Sequence, residues 1–290
     1  MKSWKIGAIA GLITGIVGSI VTIFLAVYMI ENGLVYHYLA ILPITPIKQI
    51  AIVEITINVI WGIALGIIYS RIYSKIPGKA IVKGFTVGII YSLIYCVRWA
   101  SICYMYNIMH NFEYLIPLYI FIGLVLGITY EFLRNRFLPK REKVVAIKYD
   151  IKGVIHPGAI AGSVAGLSSF FYTVVIMNPL LWPELEIDLG LVISQLGTLV
   201  LFNMIWGIVF GILFAMFYER VPKKGILKGL IFSMAVFFFT NIPNVMRNMI
   251  YSQLTEQAYG LMIALWVLLA ALFVFVPFGL VLGLLYKPPK

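Results

Sequence analysis

Two residues of opposite charge, Glu54 and Arg98, lie inside long apolar stretches of this sequence. Counted along a helix from the basic residues that flank each stretch, both lie roughly 22–25 Å inward, at a similar depth. A lone charge at that depth in a bilayer costs at least about 2–3 kcal/mol, so two opposite charges favour pairing. The sequence therefore predicts a Glu54–Arg98 ion pair, which is either a structural pair or a gate, proton site or substrate site.

Two asparagines occupy equivalent positions in two similar apolar stretches. Asn58 precedes Trp61 by three residues, and Asn203 precedes Trp206 by the same spacing. Both tryptophans lie near the middle of their stretches, whereas interfacial tryptophans lie at the ends. This spacing predicts an internal face, on which the asparagines either form hydrogen bonds between helices or line a path for a solute.

The second half of the chain does not repeat the charged pair. Gln195 lies near the predicted depth of Glu54, and Arg247 lies one turn farther out than Arg98. Asparagines surround Pro243 in the same stretch, so the sequence predicts a break in the helix there. Backbone groups freed by such a break can coordinate solutes. These residues complete the candidate polar path.

The composition requires a membrane around these polar groups. Hydrophobic residues make up 62% of the chain and charged residues only 11%, against about 25% charged residues in soluble domains. Each apolar stretch approaches the ~20 residues that a helix needs to cross a bilayer, and only helices satisfy their backbone groups within one such segment. The sequence predicts an all-α integral membrane protein with eight transmembrane helices, at 6–30, 47–70, 81–105, 114–134, 157–178, 190–217, 226–250 and 260–286.

The basic residues predict the orientation of these helices. All of the 22 lysines and arginines except Lys48, Arg98 and Arg247 lie at the two termini or in alternate connections. Cytoplasmic connections are rich in basic residues, so both termini should lie in the cytoplasm of a cell membrane. Contact with anionic lipid head groups accounts for the net charge of +11. We therefore expect the lipid bilayer, and no nucleic acid, as a partner.

Three sequence patterns occur twice in the same order. They are GAIAGLITG at 7–15 with GAIAGSVAG at 158–166, a set of identities between 58–84 and 203–229, and GLVLG at 123–127 and 279–283. Duplication explains this order better than chance, and an even number of spans in each copy gives both copies the same orientation. The sequence therefore predicts two tandem four-helix repeats in parallel orientation (4+4).

The predicted domain boundaries follow from this duplication. The first four-helix repeat covers 1–135, and the second covers 157–290. Between them, a basic stretch over 136–156 is predicted to be a cytoplasmic linker.

Glycines recur at a spacing of four residues in both copies. This spacing places them on one helix face, where another backbone can approach closely. We expect tight helix packing on these faces, with sliding of helices during alternating access as the alternative. The glycines are Gly7, Gly11, Gly15, Gly62 and Gly66 in the first half and Gly158, Gly162, Gly166, Gly207 and Gly211 in the second.

The sequence contains no motif of the known intramembrane or phosphate-binding enzymes. We find no HExxH, no paired membrane aspartates, no phosphate loop and no CxxC. Cys96 and Cys103 lie about 10 Å apart on a helix, too far for a disulfide. We therefore expect no catalytic residue, no metal site and no cofactor, although an enzyme acting on lipid remains a third class of function.

The sequence favours a small-solute transporter or permease that uses the interface between its two repeats. The alternative is a non-catalytic membrane subunit or scaffold that binds partner helices through its glycine-rich faces. The expected partners are an unknown small solute in the first case, and other membrane subunits or a second copy of this chain in the second.

Overall fold

The computed structural model describes residues 2–31, 47–94, 115–138, 151–177, 190, 193, 196–254, 268–269 and 271–288. Eight α-helices lie within these ranges, and no strand does. In chain order the helices are α1 (Ser3–Glu31), α2 (Ile47–Ile72), α3 (Ala80–Ser92), α4 (Leu115–Phe137), α5 (Ile151–Phe171), α6 (Leu196–Phe217), α7 (Gly225–Leu254) and α8 (Val276–Leu285). The predicted all-α class is confirmed.

Six of these helices contain segments that are long and apolar enough to cross a membrane. The segments at Ala80–Ser92 and Leu272–Leu285 are apolar but shorter, and their predicted spans, 81–105 and 260–286, extend outside the described residues. Large apolar side chains point outward from the helices; Phe24 is 72% exposed and Phe132 is 70% exposed. Because water would not tolerate so much exposed apolar surface, the chain is a polytopic membrane protein surrounded by lipid.

The helices form two compact units. Unit 1 contains α1 to α4, and unit 2 contains α5 to α8. In unit 1, α1 packs against α2 and α4, and α3 packs against α4. In unit 2, α5 packs against α6 and α8, and α7 packs against α8.

Matching turns follow the second helix of each unit. A short 3-10 turn follows α2 at Tyr73–Lys75, and another follows α6 at Tyr218–Arg220. In both units the residue at the next bend has a left-handed backbone conformation, with φ of 95° at Gly78 and 78° at Lys223. Glycine adopts this conformation freely, while lysine does so only when the surrounding turn imposes it.

Helix α5 begins earlier than the sequence predicts. Its first turns, from Ile151, lie within the stretch predicted to be a linker, and Pro157 lies inside the helix. The linker was predicted from its basic residues, but lysine is a good helix former, so basic composition does not end a helix.

Helix α7 continues through Pro243, so the predicted break there is wrong. The helix runs without interruption from Gly225 to Leu254. Thr240 Oγ1 donates a hydrogen bond of 2.9 Å to the carbonyl of Val236, and Asn241 Nδ2 donates one of 3.0 Å to the carbonyl of Phe237. Pro243 has no amide hydrogen to donate to the carbonyl of Phe239, a loss that transmembrane helices tolerate through neighbouring helices and polar side chains.

Candidate functional site

The glycine face of α1 packs directly on the backbone of α2. A Cβ atom on Gly62 would lie 2.8 Å from Gly15 Cα, and one on Gly66 would lie 2.8 Å from Gly11 Cα. Gly7 faces Gly66 in the same way. Separations this short leave no room for a side chain, so α1 and α2 pack closely through these glycines.

The equivalent helices of unit 2 make the same kind of contact. A Cβ atom on Gly207 would lie 2.5 Å from Gly162 Cα, and one on Gly158 would lie 2.7 Å from the Gly207 carbonyl oxygen. Gly211 approaches Gly158, with its Cβ position 3.0 Å from the Gly158 Cα. Gly166 lies beside Asn203, whose own Cβ is 3.0 Å from the added Cβ position.

Glycines also join the remaining two helix pairs. In unit 1 a Cβ on Gly84 would lie 2.6 Å from the Gly123 carbonyl oxygen, and in unit 2 one on Gly229 would lie 2.7 Å from Gly283 Cα. The glycine faces are therefore filled by helices of the same unit. The hypothesis that these faces receive helices of another protein is wrong for the glycines named here.

One face of α2 turns toward the interior of unit 1 and carries polar groups. We call Glu54, Asn58, Trp61 and Tyr69 the polar face; their spacing places them along one side of the helix. Glu54 is only 3% exposed, and its carboxylate oxygen Oε2 accepts a hydrogen bond of 3.3 Å from Asn58 Nδ2. Trp61 Nε1 donates to the hydroxyl of Tyr91 on α3. The structure thus brings together two of the predicted path residues, Glu54 and Asn58.

The polar face ends in a cluster of tyrosines. Tyr69 is 1% exposed, and its ring packs against those of Tyr73 and Tyr130 at centroid distances of 5.6 and 5.2 Å. Tyr130 shares a hydrogen bond of 2.8 Å with Ser3 Oγ. Within the described part of the chain, the hydroxyl of Tyr69 has no hydrogen-bond partner. An unsatisfied buried hydroxyl costs about 1–3 kcal/mol, so the packing of the ring stabilises the unit while the hydroxyl itself does not.

Unit 2 has apolar residues at most of these positions. Leu199 takes the place of Glu54, and Phe214 takes that of Tyr69; both are buried. Trp206 packs among phenylalanines, with Phe210 at 4.4 Å and Phe278 at 5.0 Å between ring centroids. Along the second helix of each unit, the described residues thus include a buried carboxylate and a buried tyrosine in unit 1, with apolar side chains in their place in unit 2.

Asn203 differs from its counterpart Asn58. Its Nδ2 donates a hydrogen bond of 2.9 Å to the backbone carbonyl of Leu199, one turn earlier in α6. Because this bond is internal to the helix, Asn203 makes no polar site of the kind that Asn58 forms with Glu54. The predicted equivalence of the two asparagines holds for position but not for environment.

Two lysines that the sequence assigns to the lipid surface are buried instead. Lys83 is 3% exposed. Its Nζ donates a hydrogen bond of 2.8 Å to the carbonyl of Tyr73 and lies 3.6 Å from the centre of the Tyr73 ring. Lys228 Nζ lies 3.7 Å from the ring centre of Tyr218. A cation at the C-terminal end of a helix forms hydrogen bonds with free carbonyls and interacts favourably with the helix dipole, and the ring adds cation–π attraction.

Replacing Lys83 by methionine should destabilise unit 1. Methionine keeps the apolar stem but removes a charged hydrogen bond, which contributes about 1.5–3 kcal/mol. We expect a lower temperature of thermal unfolding in detergent for Lys83→Met. The control is Lys79→Met, which removes the same charge from an exposed position. Equal unfolding temperatures for the two variants would show that the Lys83 contact contributes nothing.

Three predicted path residues cannot be placed. Arg98 and Gln195 lie outside the described residues, and Arg247 lies in α7 with a side chain outside the description. The Glu54–Arg98 pair therefore stays a prediction. Within the described ranges, no group of three or more histidines, cysteines and acidic residues is arranged to hold a metal ion.

Tyr69, Tyr91 and the buried lysines were not predicted as site residues from the sequence. Continuing the spacing from Glu54 through Asn58 and Trp61 leads along the same face to Tyr69, so helical periodicity was the available signal.

Comparisons with protein-family models, curated proteins and solved structures find no match for this chain.

Proposed function

We propose that this protein transports a small cation or a proton-coupled small solute, and that Glu54 on the polar face is the central ionisable group. The observation that carries the proposal is the burial of the Glu54 carboxylate, 3% exposed, at a position where unit 2 has leucine. An acidic side chain inside a membrane bundle is costly, and such residues mark ion and proton pathways.

The remaining polar face supports the same proposal. Asn58 binds the carboxylate, and Trp61 and Tyr91 form the next polar contact along the interior of unit 1. Tyr69 lies about 22 Å from Glu54 along the helix axis. Polar groups therefore recur over much of the thickness of a bilayer, about 30 Å. The route predicted between the two repeats stays a prediction.

The proposed topology has eight spans, arranged as two parallel four-helix repeats with both termini in the cytoplasm of a cell membrane. Its support is the agreement between the units in local detail. The left-handed turns at Gly78 and Lys223 correspond, as do the lysine–tyrosine contacts of Lys83 and Lys228. In this topology unit 2 is the scaffold and unit 1 carries the site.

Transport can be tested with purified protein in proteoliposomes on a solid-supported membrane. Rapid jumps in proton, sodium, potassium, ammonium or choline concentration, and jumps of a panel of amino acids, should evoke a current for at least one probe. In Glu54→Gln this current should fall by at least about tenfold, a loss of 1.4 kcal/mol or more in the limiting step.

The matched control is Glu219→Gln, which makes the same chemical change at an exposed position in unit 2. It should leave the current unchanged. The proposal is overturned if no probe evokes a current above that of protein-free liposomes, or if Glu54→Gln carries the same current as the unaltered protein.

A further inference from the structure

The helix pairs α1–α2 and α5–α6 have the same glycine pattern, but they pack in registers that differ by one helical turn. In unit 1, Gly7 faces Gly66. In unit 2, Gly158, the sequence equivalent of Gly7, faces Gly207 instead. The sequence equivalent of Gly66 is Gly211, one turn farther along α6. Helix α5 is thus displaced along α6 by four residues relative to the position of α1 along α2.

The displacement is confined to this pair of helices. Gly84 faces Gly123 in unit 1, and their sequence equivalents Gly229 and Gly279 face each other in unit 2. The α3–α4 and α7–α8 pairs therefore share one register. Helices α1 and α5 are matched through GAIAG at 7–11 and 158–162, independently of the other helices, so the difference concerns these two helices.

The second register fits unit 1 only if α1 and α2 move apart slightly where Ser3 would replace Gly7, because a Cβ at that place would lie 2.7 Å from Ser70 Cβ. Moving α1 by one turn would bring Ser3 opposite Gly66, and Gly7 opposite Gly62. In unit 2, the larger Val154, the sequence equivalent of Ser3, already occupies that place: its carbonyl oxygen lies 3.1 Å from the Cβ position of Gly211. Because the glycines repeat every four residues, a shift of four residues, about 6 Å, brings glycine opposite glycine again in the middle of the pair.

We propose that α1 slides along α2 between these two registers, and that unit 2 displays the register that unit 1 adopts in its second state. One-turn shifts of packed helices are a known form of conformational switch. The hydrogen bond of 2.8 Å between Ser3 Oγ and Tyr130 OH fastens α1 in the register seen in unit 1. At the equivalent positions unit 2 has Val154, which cannot make this bond, and Tyr286.

The slide would change the surroundings of Glu54. In unit 1, Gly15 of α1 lies against Asn58, and the second register would carry it one turn along α2 to the level of Glu54. The backbone of α1 would then move past the carboxylate. A link between this movement and transport rests on the proposed function, whereas the slide itself does not.

Distances between spin labels on equivalent lipid-facing sites test the slide. The labels are placed through Ile9→Cys and Ile52→Cys in unit 1, and through Ile160→Cys and Gly197→Cys in unit 2. The three isoleucines are exposed, and a Cβ on Gly197 has nothing within 4 Å. The native cysteines Cys96 and Cys103 are replaced by serine. From the observed registers, the axial separation of the labels is about 18 Å in unit 1 and about 12 Å in unit 2.

Pulsed electron paramagnetic resonance in lipid nanodiscs should show two distances for the unit 1 pair, the shorter one matching unit 2. Tyr130→Phe, which removes the hydrogen bond to Ser3, should raise the share of the shorter distance by at least about threefold, the change expected from losing a bond of roughly 0.7 kcal/mol. The control Tyr286→Phe changes the equivalent tyrosine of unit 2 and should leave the unit 1 distances unchanged.

A single unit 1 distance that Tyr130→Phe does not alter overturns the slide, because the registers would then be fixed. This outcome leaves the transport proposal standing if Glu54→Gln still abolishes the current. Two unit 1 distances in a protein that carries no current support the slide and overturn the transport proposal. Each of the two proposals can therefore be overturned while the other stands.

Discussion

Replacing Gly62 by valine is expected to prevent unit 1 from folding. The added Cβ would lie 2.8 Å from Gly15 Cα and equally close to the Gly15 nitrogen. These atoms belong to the backbone of α1, so no side-chain rotation relieves the contact, and the helices must separate along their length. Because the neighbouring glycines Gly11 and Gly66 lose their contacts as well, we expect destabilisation of more than about 4 kcal/mol, at the extreme of single substitutions.

The measurement is the yield of monodisperse protein in mild detergent, together with its temperature of thermal unfolding. Gly197→Val is the matched control, because it adds the same atoms to α6 where nothing lies within 4 Å. Gly207→Val repeats the test in unit 2, where a Cβ would lie 2.5 Å from Gly162 Cα. If Gly62→Val and Gly197→Val give equal yields and unfolding temperatures, the close approach of α1 and α2 is wrong.

The contrast between glycines at helix contacts and Gly197 shows which part of the helix packing can be predicted from the sequence. Spacing of four residues selects glycines on one side of a helix, and the structure places these glycines at helix contacts. It could not give the register, because a pattern that repeats every turn looks the same after a shift of one turn. The partners Gly66 for Gly7 and Gly207 for Gly158 come only from the structure.

Helix positions were predictable for a related reason. An apolar stretch in a bilayer has few alternatives to a helix, so α2 and α7 begin within a residue of their predicted starts. Proline was misleading, because the penalty known from soluble helices overstates its effect at Pro243. Helix α7 runs without interruption from Gly225 to Leu254.

The environment of charged residues was the least predictable part. The positive-inside rule concerns the side of the membrane and carries no information on burial. Lys83 therefore looked like a lipid contact, although its Nζ binds a backbone carbonyl of the same unit. Glu54 could be singled out from the sequence, because a carboxylate in an apolar helix is conspicuous whatever surrounds it; its role stays a prediction.

The predicted pairing of Glu54 with Arg98 should appear as strong coupling in a double-mutant cycle. If the two charges are paired inside the bundle, Glu54→Leu leaves an uncompensated cation and Arg98→Leu leaves an uncompensated anion. Each single variant should therefore lose about 3–5 kcal/mol of unfolding free energy. The double variant removes both charges at once and should lose far less than either single variant, because two apolar side chains replace an ion pair at little cost.

Unfolding by denaturant in detergent micelles measures the stability side of this cycle. A double variant no more stable than the worse single variant would refute the pairing, since independent charges give additive losses. The same four proteins in proteoliposomes measure the functional side. A stable double variant without current would place the carboxylate in the transport path, because stability alone would then be restored. A stable double variant with the full current would make the pair structural, and Glu54 would lose its proposed role.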